Sequence, residues 1–143
     1  MTKSLNKGKR FERFVAKKLT EITGKEFKRV PLSGAFSTKE GTKSNVFKGD
    51  IFCEDEEFKD IVIECKTLGK YLSLDELFEE GTLYKWIKQT IEEAGNFNWV
   101  LIFKENRMLV KGISQDGGLL HKLGFKDFTR IQNKNFNILI GRW

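Results

Sequence analysis

Proline is almost missing from this chain: Pro31 stands alone among 143 residues. No Pro-rich linker divides it, and no repeat or low-complexity stretch does so. Cysteine is scarce as well. Cys53 and Cys65 lie inside strand-like runs without metal-ligand spacing and read as buried free thiols of a reducing compartment. His121 is the one histidine, and it reads as a surface or partly packed side chain. No Cys/His cluster for a soft metal can be assembled from this set. Long apolar runs are lacking too. The longest, Trp99 to Phe103, falls far short of a membrane span. The start, Met1 to Lys7, lacks the apolar centre of a signal peptide, so a non-secreted protein is expected.

What is present suits one packed domain over 1–143. Hydrophobic residues make up 39% and aromatic residues 13%, which excludes disorder. The net charge of +6 is unevenly spread. Residues 1–48 carry thirteen Lys/Arg against four Glu, a net of +9, and the remainder carries thirteen basic against sixteen acidic residues, a net of −3. A basic first third points to a polyanionic partner, nucleic acid above all, with a solvated Lys-rich surface as the alternative.

Periodicity predicts a helix over 7–23, with Phe11, Val15, Leu19 and Ile22 on one face, Asn6 as cap and Gly24 as stop. Glu12 borders that face, three, four and seven residues before Val15, Ala16 and Leu19. A short strand follows over 26–31, then a polar loop over 35–48. Strands are predicted at 50–54 and 60–66 around the acidic run Glu54-Asp55-Glu56-Glu57, which reads as a solvated turn. Ser73-Leu74-Asp75-Glu76 has the form of a capping box. A second helix starts at Gly81-Thr82 and runs to Gly95 with Trp86, Ile87, Thr90, Ile91 and Ala94 as its stripe. Strands over 98–104 and 108–113, a short helix over 119–123 and a closing strand over 136–140 complete a mixed α/β domain with helices packed on a sheet.

The strand Asp60-Ile61-Val62-Ile63-Glu64-Cys65-Lys66 is oddly built. Side chains alternate faces along a strand, so Ile61, Ile63 and Cys65 point one way and Val62, Glu64 and Lys66 the other. Paired antiparallel with 50–54 about a turn centred on Glu57, Ile51 meets Ile63, Phe52 meets Val62, Cys53 meets Ile61 and Asp50 meets Glu64. A one-residue slip would split Ile51 and Ile63 between faces. Two opposed carboxylates destabilise a sheet, and a hard cation on oxygen ligands, Mg²⁺ or Mn²⁺, would offset them. The alternative is an amphipathic edge strand with an ordinary Glu64–Lys66 salt bridge. Glu-x-Lys carries no weight by itself, since roughly two are expected by chance and three occur, at Glu26, Glu57 and Glu64.

Gly49-Asp50 followed by Glu64-Cys65-Lys66 resembles the split signature of the PD-(D/E)xK nuclease superfamily, with Gly in place of the usual Pro. Glu12 matches the helical carboxylate of several branches. Arg29-Val30-Pro31-Leu32-Ser33-Gly34 resembles the Ser-Gly turn of archaeal-type Holliday junction resolvases. The loop 35–48 is longer than that group leads one to expect. The resemblance implies a restriction-endonuclease-like core, a central mixed β-sheet flanked by helices. It further implies Mg²⁺, with Mn²⁺ as substitute, held by Glu12, Asp50, Glu64 and the Cys65 backbone carbonyl. Lys66 would act on the attacking water, and Ser33 would touch the scissile phosphate, a plain turn serine being its alternative reading. Lys7, Lys9, Arg10 and Arg13 on the first helix and Lys39, Lys43 and Lys48 in the loop would contact phosphates, whereas Lys85 and Lys88 read as surface charges. The implied activity is Mg²⁺-dependent, structure-selective endonucleolytic hydrolysis of branched or duplex DNA in recombination or repair, above all the resolution of four-way (Holliday) junctions. It would be carried out by a homodimer in the cytoplasm of a prokaryote or archaeon, or be virally encoded. The stripe on the second helix is a candidate dimer face, although core packing would produce the same stripe. A same-fold nuclease on another DNA substrate and a non-catalytic nucleic-acid-binding module are the competing readings.

Overall fold

A computed structural model describes residues 2–31, 48–69, 81–107 and 109–143. Helix α1 spans Thr2–Thr23 and α2 spans Thr82–Ala94. A shorter α3 spans Gly117–Lys122. The strands are β1 (Phe27–Arg29), β2 (Ile51–Cys53), β3 (Ile61–Thr67), β4 (Asn98–Lys104), β5 (Val110–Ser114), β6 (Lys126–Gln132) and β7 (Asn137–Arg142). They form one seven-stranded sheet in the order β1-β2-β3-β4-β5-β7-β6. Only the β3–β4 pair is parallel; the others run antiparallel. That parallel pair requires a crossover, and α2 lies within it.

Alternation along the strands makes two cores. On one face Phe11, Val15, Ala16 and Leu19 of α1 and Leu119 and Leu120 of α3 meet Phe27, Ile51, Ile63, Cys65, Val100 and Ile102. On the other, Leu83, Ile87 and Ala94 of α2 cover Val62, Trp99, Leu101 and Phe103. The result is the helix–sheet–helix layering of a mixed α/β domain. The α2 stripe is therefore core, with Ile87 fully buried and Trp86 packed against Phe103 at 6.2 Å.

Several expectations need correction. Helix α1 begins at Thr2, so Asn6 lies inside it and not at its start; this Lys-rich stretch has no Gly or Pro before Gly8 to stop a helix earlier. Ile22, at the end of the stripe, is 37% exposed and lies against Gly124 rather than within the core. Strand β6 was not foreseen. Its side chains are nearly all exposed, so it has no alternation to read, and it is held as an edge by its ladder to β7. The capping box at Ser73 and the loop from Leu32 to Phe47 lie outside the described residues. The acidic turn itself is solvated, with Glu54, Glu56 and Glu57 exposed, and it is anchored at its edges. Phe58 is 3% exposed and packs on Phe27 at 5.3 Å. Asp55 pairs with Lys25 at 3.3 Å and Glu57 with Lys122 at 3.3 Å.

The predicted register of β2 on β3 is the one found, Ile51 opposite Ile63. Strand β2 also pairs along its other edge with β1, Arg29 opposite Ile51 and Phe27 opposite Cys53. Ile63 is 1% exposed at the centre of the larger core. Truncation to Ala should cost about 3 kcal/mol, from lost transfer energy and the cavity left behind. Urea unfolding should report this as a lower midpoint with an unchanged slope.

Candidate active site

Asp50 sits immediately before β2, and its backbone N–H donates to the Ile63 carbonyl at 2.8 Å. By the Ile51–Ile63 register it lies opposite Glu64. Its carboxylate Oδ2 accepts the Cys65 backbone N–H at 2.8 Å. Glu64 is 6% exposed, a rare condition for a carboxylate without a charged partner. Its face of β3 is the one that carries Val62 toward α2.

The residue that meets Glu64 there is Glu93 of α2, a carboxylate that the sequence reading missed. Burial, then a hydrogen bond with Glu93 and the nearby Asp50 carboxylate, push Glu64 up to about 11. Glu93 moves the opposite way. The hydrogen bond from Glu64 holds it below the usual carboxylate range, helped by the Gly49 N–H, Lys48 and Lys66. One proton therefore serves the pair, residing on Glu64 while Glu93 stays ionised. The offset argument applied to Glu12 would have found Glu93, three residues after Thr90 and seven after Trp86 on the buried stripe.

Gly49 ties α2 to the strand pair. Its N–H donates to Glu93 Oε1 at 2.9 Å, and its φ is +80°. A Cβ there would stand 2.6 Å from the Ile63 carbonyl oxygen. Proline, with φ fixed near −65°, cannot occupy this conformation. The Gly in place of Pro is thus a change of backbone path.

Glu12 approaches from the α1 side. It is bound to Arg29 at 2.9 Å, with both side chains about a fifth exposed. Its carboxyl is raised, chiefly by burial against the opposing Arg29 hydrogen bond, and Asp50 adds to the rise. Lys66, partly buried, follows Glu64 on the α2 face of β3. Lys48 lies 5.1 Å from the centre of the Phe97 ring. Lys9 is half-buried near Glu12, whereas Lys7, Arg10 and Arg13 are exposed on α1. Ser33, Lys39 and Lys43 lie outside the described residues.

As the side chains stand, no group of three or more His, Cys, Asp or Glu among the described residues is arranged to hold a metal ion. The donor chemistry still suits a hard cation. Asp50, Glu64 and Glu93 supply oxygen alone, and the proton on Glu64 occupies the position of positive charge that the cluster requires.

A model of the family described as "Phage putative PDDEXK endonuclease" matches residues 3–134. Protein D14 of Escherichia phage T5 is 32% identical over 145 residues, covering 96% of this chain and 88% of that protein. No solved structure matches the chain.

The buried proton has a measurable consequence. A carboxyl whose folded pKa is raised loses stability as pH climbs from its unfolded value toward its folded one. For Glu64 the loss begins near pH 4.5 and continues toward about 11. With chelator present, Glu64→Gln should melt above the wild type by about 5 °C at pH 8, and the gap should close at pH 4. A gap of constant size across that range would mean that Glu64 is not held protonated.

Proposed function

The chain belongs to the phage PDDEXK endonuclease family, and from that premise we propose that it is a Mg²⁺-dependent DNA endonuclease acting on branched DNA. The family makes the domain a nuclease with a restriction-endonuclease-like fold. The observation that carries the proposed site is the meeting of the Asp50 and Glu64 carboxyls beside the Ile51–Ile63 pair, with Lys66 two residues on. The donor set of Asp50, Glu64 and the Cys65 carbonyl would hold the cation, with Glu12 as a further carboxylate. Glu12 must first leave Arg29 to join them.

A divalent cation, when bound, supplies charge neutralisation at a phosphate and lowers the pKa of coordinated water. The chain's own residues do the rest. Lys66 offers an ammonium that orients the attacking water and stabilises charge developing on the nonbridging oxygens. Asp50 is fixed for its role by the Cys65 N–H. Glu93, anchored on Gly49, orients the Glu64 carboxyl from behind. Ser33 would reach the scissile phosphate, and the basic residues of α1 with Lys48 would position the DNA backbone.

Four-way junctions are the proposed substrate, and a homodimer the proposed working form, because two symmetric strands must be cut. The Arg29–Gly34 segment supports this specificity. The burial of the α2 stripe favours a second reading, a same-fold nuclease on another DNA substrate, since it removes that stripe as a dimer face.

Incubation of labelled four-way junction, linear duplex and single strand, with Mg²⁺ or chelator, separates these readings. Paired symmetric nicks near the branch are expected. Duplex cut as well as junction would sink the resolvase reading and leave the nuclease standing. Binding without cleavage at any substrate would return the chain to a nucleic-acid-binding module.

Asp50→Asn and Glu64→Ala should each lower the cleavage rate by at least about 10³-fold while DNA binding in Ca²⁺ survives. Lys66→Ala should keep metal binding and still lose rate. Unchanged kinetics in that variant would reduce Lys66 to a surface salt-bridge partner.

A further inference from the structure

We propose that a groove between α1 and the β4–β5 turn holds an unpaired strand of the DNA, with its phosphates on four basic side chains and a base against Phe14. This rests on the reading of the chain as a DNA nuclease. The groove has a volume of about 500 Å³, and Lys7, Arg10, Phe14, Lys104 and Arg107 line it, together with Glu105. That volume falls in the range of pockets that take a small ligand. A volume of that size suits one or two nucleotide units.

The charge in the groove is strongly one-sided. Among the described residues no carboxylate is paired with Lys7, Arg10, Lys104 or Arg107. Glu105 is 4% exposed, and Lys111 binds it at 2.7 Å, so its charge is largely offset there. Four cations without a carboxylate partner among the described residues, set around a concavity, attract a polyanion.

Phe14 distinguishes this groove from a plain phosphate patch. It is 50% exposed and braced edge-on by Trp143 at 6.3 Å. An exposed aromatic ring among cations is the arrangement that binds single strands, because an unpaired base offers a π-face that a duplex conceals. Arg107 adds a second mark. Its φ is +59°, a left-handed conformation that costs a non-glycine residue roughly 1 kcal/mol. The turn accepts that cost and presents a cation to the groove.

Position connects the groove to the proposed site. Thr67 and Leu68 line it, directly after Lys66, and Thr67 lies opposite Lys104 in the parallel ladder. Alternation turns Lys66 to the α2 face and Thr67 to the α1 face. A strand crossing the carboxyl ends of β3 and β4 thus meets Lys66 and the groove within one residue step.

The test is fluorescence anisotropy of the full chain, in chelator, with labelled oligothymidylate of about 10 nucleotides and with duplex of equal length. Arg107→Gly suits the left-handed turn and should fold; it is combined with Lys104→Ser. The pair should weaken oligothymidylate binding at least about tenfold and lower its salt slope by about 1.4, while duplex binding changes less than twofold. Phe14→Leu keeps an apolar contact for Trp143 and should weaken single-strand binding about fivefold with no change in slope. Wild-type affinity in the double variant overturns the proposal, as does a wild type that binds no single strand. Competition by thymidine monophosphate at the oligonucleotide's own concentration overturns it in favour of a free-nucleotide pocket. Duplex cleavage by wild type with Mg²⁺, measured alongside, tests the nuclease reading separately.

Discussion

Two carboxylates are forced to face each other by a hydrophobic pair. Ile51 and Ile63 are both essentially unexposed, and each sits in the core beneath α1. Their pairing fixes the β2–β3 register, because a slip of one residue would turn these side chains out of that core. The register that satisfies the isoleucines puts Asp50 against Glu64. Burial of apolar area is worth roughly 25 cal/mol per Å², so two such isoleucines outweigh the few tenths to 1 kcal/mol by which opposed like charges destabilise a strand pair. The protein therefore tolerates a locally unfavourable charge arrangement in exchange for a well-packed sheet.

The remaining architecture around the site follows from containing that charge. A backbone donor at Cys65 satisfies one oxygen of the Asp50 carboxylate. Glu64 cannot ionise beside it in so buried a place, and takes a proton that it shares with Glu93. Glu93 then needs donors of its own. Gly49 provides one, and can do so only because a residue without Cβ clears the Ile63 carbonyl. From the opposite face Glu12 is neutralised by Arg29, whose strand β1 is held in place by pairing with β2. Carboxylates from both helix layers thus converge on a single strand pair, each with a different compensating group. On the proposed reading, a bound cation would take the place of that proton.

Periodicity made most of this legible. The amphipathic faces of α1 and α2, the run of β4 and the β2–β3 register all follow from apolar spacing, since burial on a defined face leaves a defined pattern. Strand β6 escaped because an edge with neither face buried leaves no pattern. Glu93 escaped for another reason. Its place beside the buried stripe was open to the spacing argument, but its meeting with Glu64 was not, because which helix packs over β3 is a tertiary relation. Conversely, Asn6 seemed a cap because Ser, Asp and Asn favour that position, but propensity yields where the chain can continue in helix. The Gly49 substitution was legible as a departure and acquired meaning only with its φ.

Charge placement along β3 gives the domain a direction. The acidic turn lies at the start of the strand and is pinned there by Lys25 and Lys122. The cations of the groove lie at the other end, beyond Thr67. The seven residues of β3 separate these ends by about 20 Å, roughly two Debye lengths at 0.1 M salt. At that distance the acidic turn scarcely weakens the basic end, yet it repels a polyanion from the wrong side. The carboxylate cluster sits between them, nearer the middle of the strand. On the proposed reading, a DNA backbone drawn to the basic end would be brought toward the cluster from the side where Lys66 stands, and would meet the negative charge of the carboxylates last, at the position where a cation would sit.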